Sequence, residues 1–543
     1  MMQLSYAQAR LMALATDLPQ FMDFAAPIDV SLLSPVILRD YQLEILRKVA
    51  ALYRAGYRRV LVQLPTGGGK TVLAAQVLLA VAARGGLSQF LVHRKELLDQ
   101  TSDSFTGFGI NHSFVASERP FDPTASTLLA GVATLVNRLD LVLPPNLLLI
   151  DEAHHAVAAS WATIMAAYPD AFVLGLTATP ERLDGKGLDE HFDVMVVGPS
   201  VAELIARGFL SRYEYFAPSR PDMSGVRTQG PDWHVGDVAD VMDRPALIGK
   251  MVDHYLRLAK GEQGIVFAAS RKHSRNLAEE FCGRGVRAAH VDGDSKDREK
   301  IDKAFRRGEL DIMTNVGLFD EGYDVPGIVY VGDGRPTKSR VKFCQKAGRA
   351  LRVIYGAGYD VRGSDEDRLA AIAAGPKRAG IIADHAGNAF THGLPDDDYD
   401  WSLQGSTRRS TGVNDDADPV RQCLSCYRVY PSKQKTCPGC GEGGAMTARE
   451  IEQRDGELEK LCRDGIRAAK AARREREKAE RERLKAEQKA AAQLKRQREL
   501  AENRACKTFA EFEALGVARS YPEPKKWAAL QMQMKTNFAA FRR

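Results

Sequence analysis

Short apolar runs alternate with stretches of helical pattern over most of the first 395 residues. Four runs rich in Val, Ile, Leu and Phe predict buried strands, at residues 60–62, 90–92, 147–150 and 172–174. A strand that is apolar throughout needs cover on both faces, and an intervening helix supplies the crossover that parallel strands require. The pattern therefore predicts an α/β fold with a parallel sheet between two layers of helices.

The alternation resumes near residue 245, with apolar runs at 265–268, 312–313, 328–331 and 381–383. A chain of 543 residues has room for two to four domains, so a second α/β domain is expected here. We predict a lead-in (1–35), a first α/β domain (36–200), a connector (201–244), a second α/β domain (245–395), a polar linker (396–418), a cysteine module (419–445), a long charged helix (446–508) and a helical cap (509–543).

A glycine-rich segment, Pro65-Thr66-Gly67-Gly68-Gly69-Lys70-Thr71, lies between a predicted strand and an apolar helix. Such glycines let backbone N–H groups surround a phosphate, with the helix N-terminus behind them. Lys70 would reach the β- and γ-phosphates of ATP, and the Thr71 hydroxyl would hold magnesium. The strict phosphate-loop pattern has glycine where this chain has Leu64. A plain glycine-rich turn is the alternative, and the flanking strand and helix favour the phosphate loop.

Two charged segments would complete a phosphoryl-transfer site. Asp151-Glu152-Ala153-His154 closes an apolar strand, so Asp151 suits magnesium and Glu152 suits activation of a water molecule. About two hundred residues later, Gln345-Lys346-Ala347-Gly348-Arg349-Ala350-Leu351-Arg352 presents Arg349 and Arg352 on a predicted helix. These arginines would stabilise charge on the γ-phosphate, with Gln345 as a further contact. The alternative for them is a basic helix face with ordinary ion pairs. A site built from both segments would form only when two domains close.

Four of the eight cysteines form two close pairs, Cys423 with Cys426 and Cys437 with Cys440. Four thiolates at this spacing are typical of a tetrahedral zinc site, and a site with four protein ligands is structural. The other four cysteines are scattered, which favours a reducing compartment over a disulfide framework. The module could contact DNA or a protein partner, or it could be a spacer.

The net charge of +6 is unevenly distributed, because residues 447–507 hold 19 Lys and Arg against 13 Asp and Glu. A basic arm suggests a nucleic-acid backbone or a partner, and a solvated helix is the alternative. No run of 18 apolar residues and no secretory signal is apparent. We therefore expect a cytoplasmic protein without a membrane span.

The order of these motifs over residues 39–352 resembles that of superfamily 2 helicases and translocases. Arg39-Asp40-Tyr41-Gln42 resembles the adenine-sensing motif, the phosphate loop resembles motif I, whose family form tolerates the missing glycine, and Asp151 to His154 resembles the DEAH form of motif II. Gln345 to Arg352 resembles motif VI. The resemblance implies two tandem RecA-like domains that bind ATP between them and a single strand of nucleic acid across both.

Further site residues follow from the same resemblance. It implies nucleotide contacts at Arg39, Gln42, Gly322 and Asp324, coupling of hydrolysis to strand movement through His154, Thr177 and Thr179, and nucleic-acid contacts at Arg94, Thr134, Ser270 and Thr314. Two segments narrow the family, since His155 after the DEAH motif and Arg335-Pro336-Thr337-Lys338-Ser339 resemble restriction-translocase subunits and RadD-type helicases. Three others, together with the cysteine module, are closer to RadD-like and prophage helicases: Asp384-His385-Ala386-Gly387-Asn388, His392-Gly393 and Trp401-Ser402-Leu403.

These observations predict an ATP-driven DNA helicase or translocase in repair, recombination or phage replication, acting on single-stranded or branched DNA. Three alternatives stay open: a restriction-type motor that moves on duplex without separating strands, a nucleic-acid-binding scaffold switched by ATP, and an RNA helicase. Intact Lys70, Asp151, Glu152 and Arg352 argue against the scaffold, since a pure scaffold needs no water-activating carboxylate. Contacts to phosphates do not distinguish DNA from RNA.

Overall fold

The structure is a computed structural model, and it describes residues 37–93, 96–117, 119–122, 124–155, 159–182, 187–217, 221–295, 297–318, 325, 327–360, 362–404, 420–423, 425–442, 446–447, 502–503, 505–519 and 523–541. The chain divides into two compact units, Met1–Glu452 and Gln453–Arg543. None of the helices in the described ranges combines the length and the hydropathy that crossing a membrane requires.

The first domain is a seven-stranded parallel sheet covered by helices. Its strands are β1 (Arg59–Gln63), β2 (Ser88–Val92), β3 (His112–Val115), β4 (Thr127–Gly131), β5 (Leu147–Ile150), β6 (Phe172–Thr177) and β7 (Val194–Val197). Its helices are α1 (Asp40–Arg54), α2 (Lys70–Ala83), α3 (Glu96–Gly107), α4 (Val132–Leu135) and α5 (Ala159–Ala167), and a 3₁₀ turn spans Ala153–His155. The strand order is β3-β4-β2-β5-β6-β1-β7, and every pairing is parallel.

This domain confirms the α/β prediction. Strands β2, β5 and β6 are buried along their whole length, and the apolar runs predicted at 90–92, 147–150 and 172–174 lie within them, as cover on both faces requires. The order places β6 between β1 and β5. The segments that follow β1, β5 and β6 therefore leave the same edge of the sheet side by side, where open α/β sheets place their ligands.

The second domain has a six-stranded parallel sheet. Its strands are β8 (Tyr213–Phe216), β11 (Gly264–Ala268), β12 (Ala288–Val291), β13 (Ile312–Asn315), β14 (Tyr330–Gly334) and β15 (Gly380–Asp384), in the order β12-β13-β11-β14-β15-β8. The helices between the two domains and within the second are α6 (Val201–Ala206), α7 (Val235–Met242), α8 (Pro245–Leu258), α9 (Arg271–Gly283), α10 (Arg298–Arg306), α11 (Arg340–Ala350), α12 (Asp365–Ala374) and α13 (Ala389–His392). A two-stranded hairpin, β9 (Thr228–Gln229) with β10 (Asp232–Trp233), precedes α7.

The predicted connector (201–244) holds more structure than a linker. Ser200 begins α6 with a capping box that pairs it with Glu203, and β8 then joins the second sheet beside β15. Strand β8 is held there by Tyr215, whose buried hydroxyl donates to Asp384 Oδ2 at 2.9 Å. The second domain therefore includes a strand that lies before its predicted first residue. Burial of Tyr215 stabilises this strand although the surrounding segment is polar.

The cysteine module forms a small antiparallel sheet of β16 (Val420–Gln422), β17 (Val429–Pro431) and β18 (Met446–Thr447), in the order β17-β16-β18. Val420 and Val429 are buried in the apolar core of the second domain. The backbone of Ala217, directly after β8, donates to the Tyr427 carbonyl at 3.1 Å. The module therefore extends the edge of the second domain.

The C-terminal unit contains α14 (Phe509–Ala518) and α15 (Pro524–Phe541). Thr508 begins α14 with a capping box to Glu511, and the rings of Phe512 and Trp527 pack edge to face, 6.0 Å apart. The lead-in (1–35) lies outside the described residues, as does the charged helix (446–508) apart from residues 446–447, 502–503 and 505–508.

Candidate active site between the two domains

The loop between β1 and α2 has the backbone shape that a phosphate group requires. Gly67 and Gly69 have φ angles of 83° and 84°, which residues with a side chain rarely adopt. Helix α2 then begins at Lys70, where unbonded N–H groups and the helix dipole attract an anion. Lys70 Nζ donates to the Leu64 carbonyl at 3.3 Å, which holds the ammonium group beside the loop. These residues, with the Thr71 hydroxyl in the first turn, fit the triphosphate of ATP.

The predicted adenine motif supports this loop directly. Gln42 Nε2 donates to the Gly69 carbonyl at 3.1 Å, and the Tyr41 hydroxyl donates to the Gly68 carbonyl at 2.8 Å. Arg39 joins both, since its backbone N–H donates to Gln42 Oε1 and its guanidinium donates to the Tyr41 hydroxyl. Contact of Arg39 and Gln42 with adenine stays a prediction, and Tyr41 is a loop support that the sequence analysis missed.

The carboxylate pair follows β5 and is linked to the end of β6. Glu152 has a φ of 46°, unusual for a residue with a side chain, and its Oε2 lies 3.4 Å from His154 Nδ1. The same ring nitrogen lies 3.1 Å from Thr177 Oγ1, which donates to the Thr179 carbonyl at 2.9 Å. Contacts between buried polar groups therefore connect the Glu152 carboxylate, through His154, to Thr177 and Thr179. The last three are the residues predicted to couple hydrolysis to strand movement.

Helix α11 of the second domain presses against the phosphate loop of the first. A Cβ built on Gly348 would lie 2.6 Å from Thr66 Cβ, and one built on Gly67 would lie 3.9 Å from Arg352 Cγ. Arg349, three residues before Arg352, is buried. The structure therefore brings together the two halves of the site that the sequence places about two hundred residues apart.

Two details refine the predicted arginine helix. Helix α11 ends at Ala350, so Arg352 lies just beyond the helix rather than on it. Gln345 is 1% exposed, and within the described residues neither polar atom of its side chain has a hydrogen-bond partner. A buried amide without partners is costly, which fits the predicted contact of Gln345 with nucleotide.

A buried ion pair fixes the orientation of α11. Lys346 Nζ donates to both carboxylate oxygens of Asp333, each at 2.6 Å, and Asn388 Nδ2 donates to Asp333 Oδ2 at 2.8 Å. Nearby, burial and then the charge of Asp333 raise the pKa of Asp384 to about 6. These contacts give the segment from Asp384 to Asn388 a structural role in holding the arginine helix. Sequence reasoning missed Lys346, although it lies inside the motif.

Replacing Gly348 by alanine should separate α11 from the loop, because the new methyl group would overlap the Thr66 side chain. Displacing catalytic groups by about 1 Å costs roughly 100-fold in rate, so we expect ATP hydrolysis to fall about 10- to 100-fold. Gly249→Ala is the matched control, since Gly249 lies in α8 with no atom within 4 Å of an added Cβ. Equal hydrolysis rates for the two variants would contradict the close approach of Gly348 and Thr66.

The predicted nucleic-acid contacts are only partly described. Arg94 lies outside the described residues, as do Gly322 and Asp324, which are predicted to contact nucleotide. Thr134 is half-buried on α4, and Ser270 caps α9 by accepting from the His273 N–H. Thr314 is fully buried in β13, and its hydroxyl donates to the Ser274 carbonyl at 2.8 Å, which ties β13 to α9. A nucleic-acid contact of Thr314 stays a prediction.

The four cysteines of the module converge as predicted. Their Sγ atoms all lie within 4.8 Å of one another, with Cys423 to Cys440 and Cys426 to Cys437 each at 3.5 Å. Tetrahedral zinc–thiolate bonds of about 2.3 Å would place sulfur atoms roughly 3.8 Å apart, so the donor set fits zinc. Burial acts to raise the pKa of the Cys437 thiol, but hydrogen bonds from the backbone of Cys440 and Gly439 and from the thiols of Cys426 and Cys440 together lower that pKa to about 7.

Loss of zinc should destabilise the second domain, because β16 and β17 bury Val420 and Val429 in its core. We expect a Cys437→Ser variant to lose zinc and to melt earlier, by roughly 2–4 °C for each kcal/mol lost. Cys282→Ser is the control, since Cys282 is exposed and outside the cluster. Zinc content is measured by native mass spectrometry and melting by calorimetry. An unchanged melting temperature after zinc loss would show that the module does not support the domain.

Two family models match the chain. The model of the type III restriction enzyme res subunit matches residues 35–182, and the model of the helicase conserved C-terminal domain matches residues 247–354. Together they cover the phosphate loop, the carboxylate pair and the arginine helix.

Individual relatives agree with these matches. A 51.5 kDa protein of Lactococcus phage (isolate 7-9) is 31% identical over 411 residues, which are 75% of this chain and 83% of that protein. IRC3 of Saccharomyces cerevisiae, provisionally named an ATP-dependent helicase, is 29% identical over 59% of this chain and 50% of its own length. A fragment structure of a provisionally assigned HsdR subunit of a type I restriction enzyme from Vibrio vulnificus YJ016 shares the fold, with a TM-score of 0.50 and 22% identity over 67% of this chain and 68% of that one.

Proposed function

Because this chain belongs to superfamily 2 of ATP-hydrolysing helicases and translocases and is related to restriction-translocase subunits, we propose that it couples ATP hydrolysis to movement on DNA or to the unwinding of DNA. The observation that carries the proposal is the approach of α11 to the phosphate loop, where Gly348 meets Thr66 and Arg352 lies near Gly67. This approach makes the site dependent on the relative position of the two domains, which is what a motor requires.

In this proposal the first domain binds the nucleotide and prepares the attacking water. Lys70 binds the β- and γ-phosphates, and Glu152 accepts a proton from the water. Thr71 and Asp151 would hold magnesium, which neutralises charge on the phosphates when bound. The buried position of Glu152 excludes bulk water around its carboxylate, which strengthens its interaction with a developing charge.

The second domain supplies the positive charge. Arg349 and Arg352 stabilise the transition state at the γ-phosphate, and the Lys346–Asp333 ion pair keeps the helix that carries Arg349 in place. Hydrolysis removes the phosphate that both domains share, so the cleft opens. The contacts from Glu152 through His154 to Thr177 would transmit the opening of the cleft to the surface that binds the nucleic-acid strand.

We further propose DNA as the partner, in repair, recombination or phage replication. The support is the resemblance of the segments from Asp384 to Asn388 and from Trp401 to Leu403 to RadD-like and prophage helicases, and the phage relative with 83% of its length aligned. The cysteine module, with zinc as its metal, and the basic tail are the surfaces that we propose for a protein partner.

Strand displacement tests this function against its rivals. The protein is incubated with ATP and a forked DNA, a forked RNA or a blunt duplex that carries a third strand, with a non-hydrolysable ATP analogue as control. Release of a strand from forked DNA supports the helicase, and release of only the third strand supports a duplex translocase. Release from RNA alone contradicts the choice of DNA, and no release from any substrate leaves the ATP-switched scaffold as the better account.

A further inference from the structure

Residues 394–404, here called the strap, leave the second domain after α13 and return to the first. At the start of the strap, Leu394 is buried in the core of the second domain. Tyr399 remains tied to that domain, because its hydroxyl lies 3.2 Å from the His392 carbonyl. This end of the strap therefore moves with the second domain.

The other end of the strap is docked on the first domain. The Leu403 carbonyl accepts hydrogen bonds from the backbone N–H groups of Leu188 at 2.6 Å and Asp189 at 3.2 Å. The Leu403 side chain packs against the apolar cluster that contains Leu188 and Phe192. Gly187 permits this approach, because any Cβ there would overlap the Leu403 carbonyl.

Between its ends the strap passes the start of the arginine helix. Arg340, the first residue of α11, has its guanidinium 4.6 Å from the centre of the Tyr399 ring and 3.8 Å from the Glu181 carboxylate of the first domain. Tyr399 and Trp401 also line a cavity of about 260 Å³ that lies between the two domains. Its other walls include Thr66, Thr179 and Gly348, so the cavity adjoins the phosphate loop.

The docked strap coincides with the close approach of α11 to the phosphate loop. Opening the cleft would carry Tyr399 and Arg340 away from Leu188 and Asp189, and would strain the hydrogen bonds at Leu403. Eight residues lie between Leu394 and Leu403, but Tyr399 is itself held by the second domain, so the free link from Tyr399 to Leu403 spans at most about 14 Å. Opening beyond that length would pull Leu403 from the first domain while the strap stays attached to the second.

We propose that the strap is a latch that responds to nucleotide: Leu403 docks on the first domain when the cleft closes around ATP and undocks when the cleft opens. The proposal rests on the proposed ATP-driven function of the cleft. Linkage makes the effect reciprocal, since a nucleotide that favours docking must bind more tightly when docking is possible. Typical coupling between two such events changes an affinity roughly 5- to 150-fold.

Hydrogen exchange at the two docking amides tests the latch in the full-length protein. Exchange at Leu188 and Asp189 is measured by mass spectrometry without nucleotide and with a non-hydrolysable ATP analogue, and binding of the analogue is measured by calorimetry on the same samples. We expect at least tenfold slower exchange with the analogue bound. Equal exchange in both states of a protein that binds the analogue would overturn the latch.

A Gly187→Val variant should remove the docking. We expect its two amides to exchange at the same rate with and without the analogue, and its affinity for the analogue to be roughly tenfold weaker. Gly107→Val is the matched control in the same domain, because nothing lies within 4 Å of a Cβ added there. Leu403→Ala, which keeps the backbone, replaces the variant if Gly187→Val does not fold.

The outcomes separate the latch from the function on which it rests. Unchanged affinity in both Gly187→Val and Leu403→Ala would overturn the latch and leave the motor intact. Wild-type protein that does not bind the analogue at all would contradict the proposed function, and the latch with it. The calorimetric measurement on the same samples distinguishes these two results.

Discussion

An Arg352→Ala variant is expected to bind ATP with nearly wild-type affinity and to hydrolyse it roughly 10³- to 10⁵-fold more slowly, the range typical of an arginine that stabilises charge on a transferring phosphoryl group. The physical reason is position. Arg352 Cγ lies 3.9 Å from the Cβ position of Gly67, so we expect its guanidinium to approach phosphates bound in the loop from the opposite domain. Because Lys70 and the loop remain, most of the binding energy for ATP remains.

Arg352→Lys separates charge from geometry. Lysine keeps the positive charge but lacks the planar fork of donors, so we expect only partial recovery of the hydrolysis rate. Arg307→Ala is the control for loss of an arginine, because Arg307 is exposed and paired only with its near neighbour Glu309 in the contacts that the structure describes. Single-turnover hydrolysis and ATP binding are measured for each protein. Full turnover by Arg352→Ala would remove Arg352 from the reaction.

Glu152→Gln should have the second large effect. Glutamine has almost the same size, so the buried site and its contact with His154 persist, but the amide cannot accept a proton from water. General base catalysis typically contributes about 10²- to 10⁴-fold, and we expect a loss of that size in hydrolysis. The variant should therefore retain ATP in a closed cleft, and it should bind DNA in the presence of ATP at least as well as wild type.

Glu44→Gln is the matched control for this substitution. Glu44 lies on α1, with most of its side chain exposed and paired with Lys48, so the same chemical change there should leave hydrolysis unaltered. Hydrolysis is followed as released phosphate, and trapped ATP is measured by rapid filtration. If Glu152→Gln releases phosphate at the wild-type rate, another group activates the water.

Local patterns predicted the parts of the site that lie on one segment of chain. The glycines of the phosphate loop and the carboxylate pair after β5 could be assigned because their chemistry depends on neighbours within a few residues. The same is true of the cysteine pairs, whose spacing already defines a tetrahedral donor set. The pairing of the two domains could also be predicted, because the carboxylates and the arginines of one phosphoryl-transfer site must lie close together.

Contacts between distant segments could not be predicted in the same way. The sequence patterns assigned β8 to a connector. The hydrogen bond from Tyr215 to Asp384 that holds β8 in the second sheet joins residues far apart in sequence, so local patterns do not reveal it. The resemblance implies a nucleic-acid contact at Thr314, whereas the burial of its side chain depends on the packing of α9 over β13. The docking of Leu403 on Leu188 depends on the space at Gly187, which becomes visible only once the chain is folded.

A DNA motor driven by ATP is tested most directly by the rate of ATP hydrolysis of the full-length protein without nucleic acid and with single-stranded DNA, duplex DNA, forked DNA and RNA, beside a Lys70→Ala variant. Lys70 begins the helix behind the phosphate loop, so its loss should abolish turnover on every substrate. We expect strong stimulation by DNA in the wild type and none in the variant. Hydrolysis that no nucleic acid stimulates, or that survives in Lys70→Ala, would contradict a DNA motor driven from this cleft.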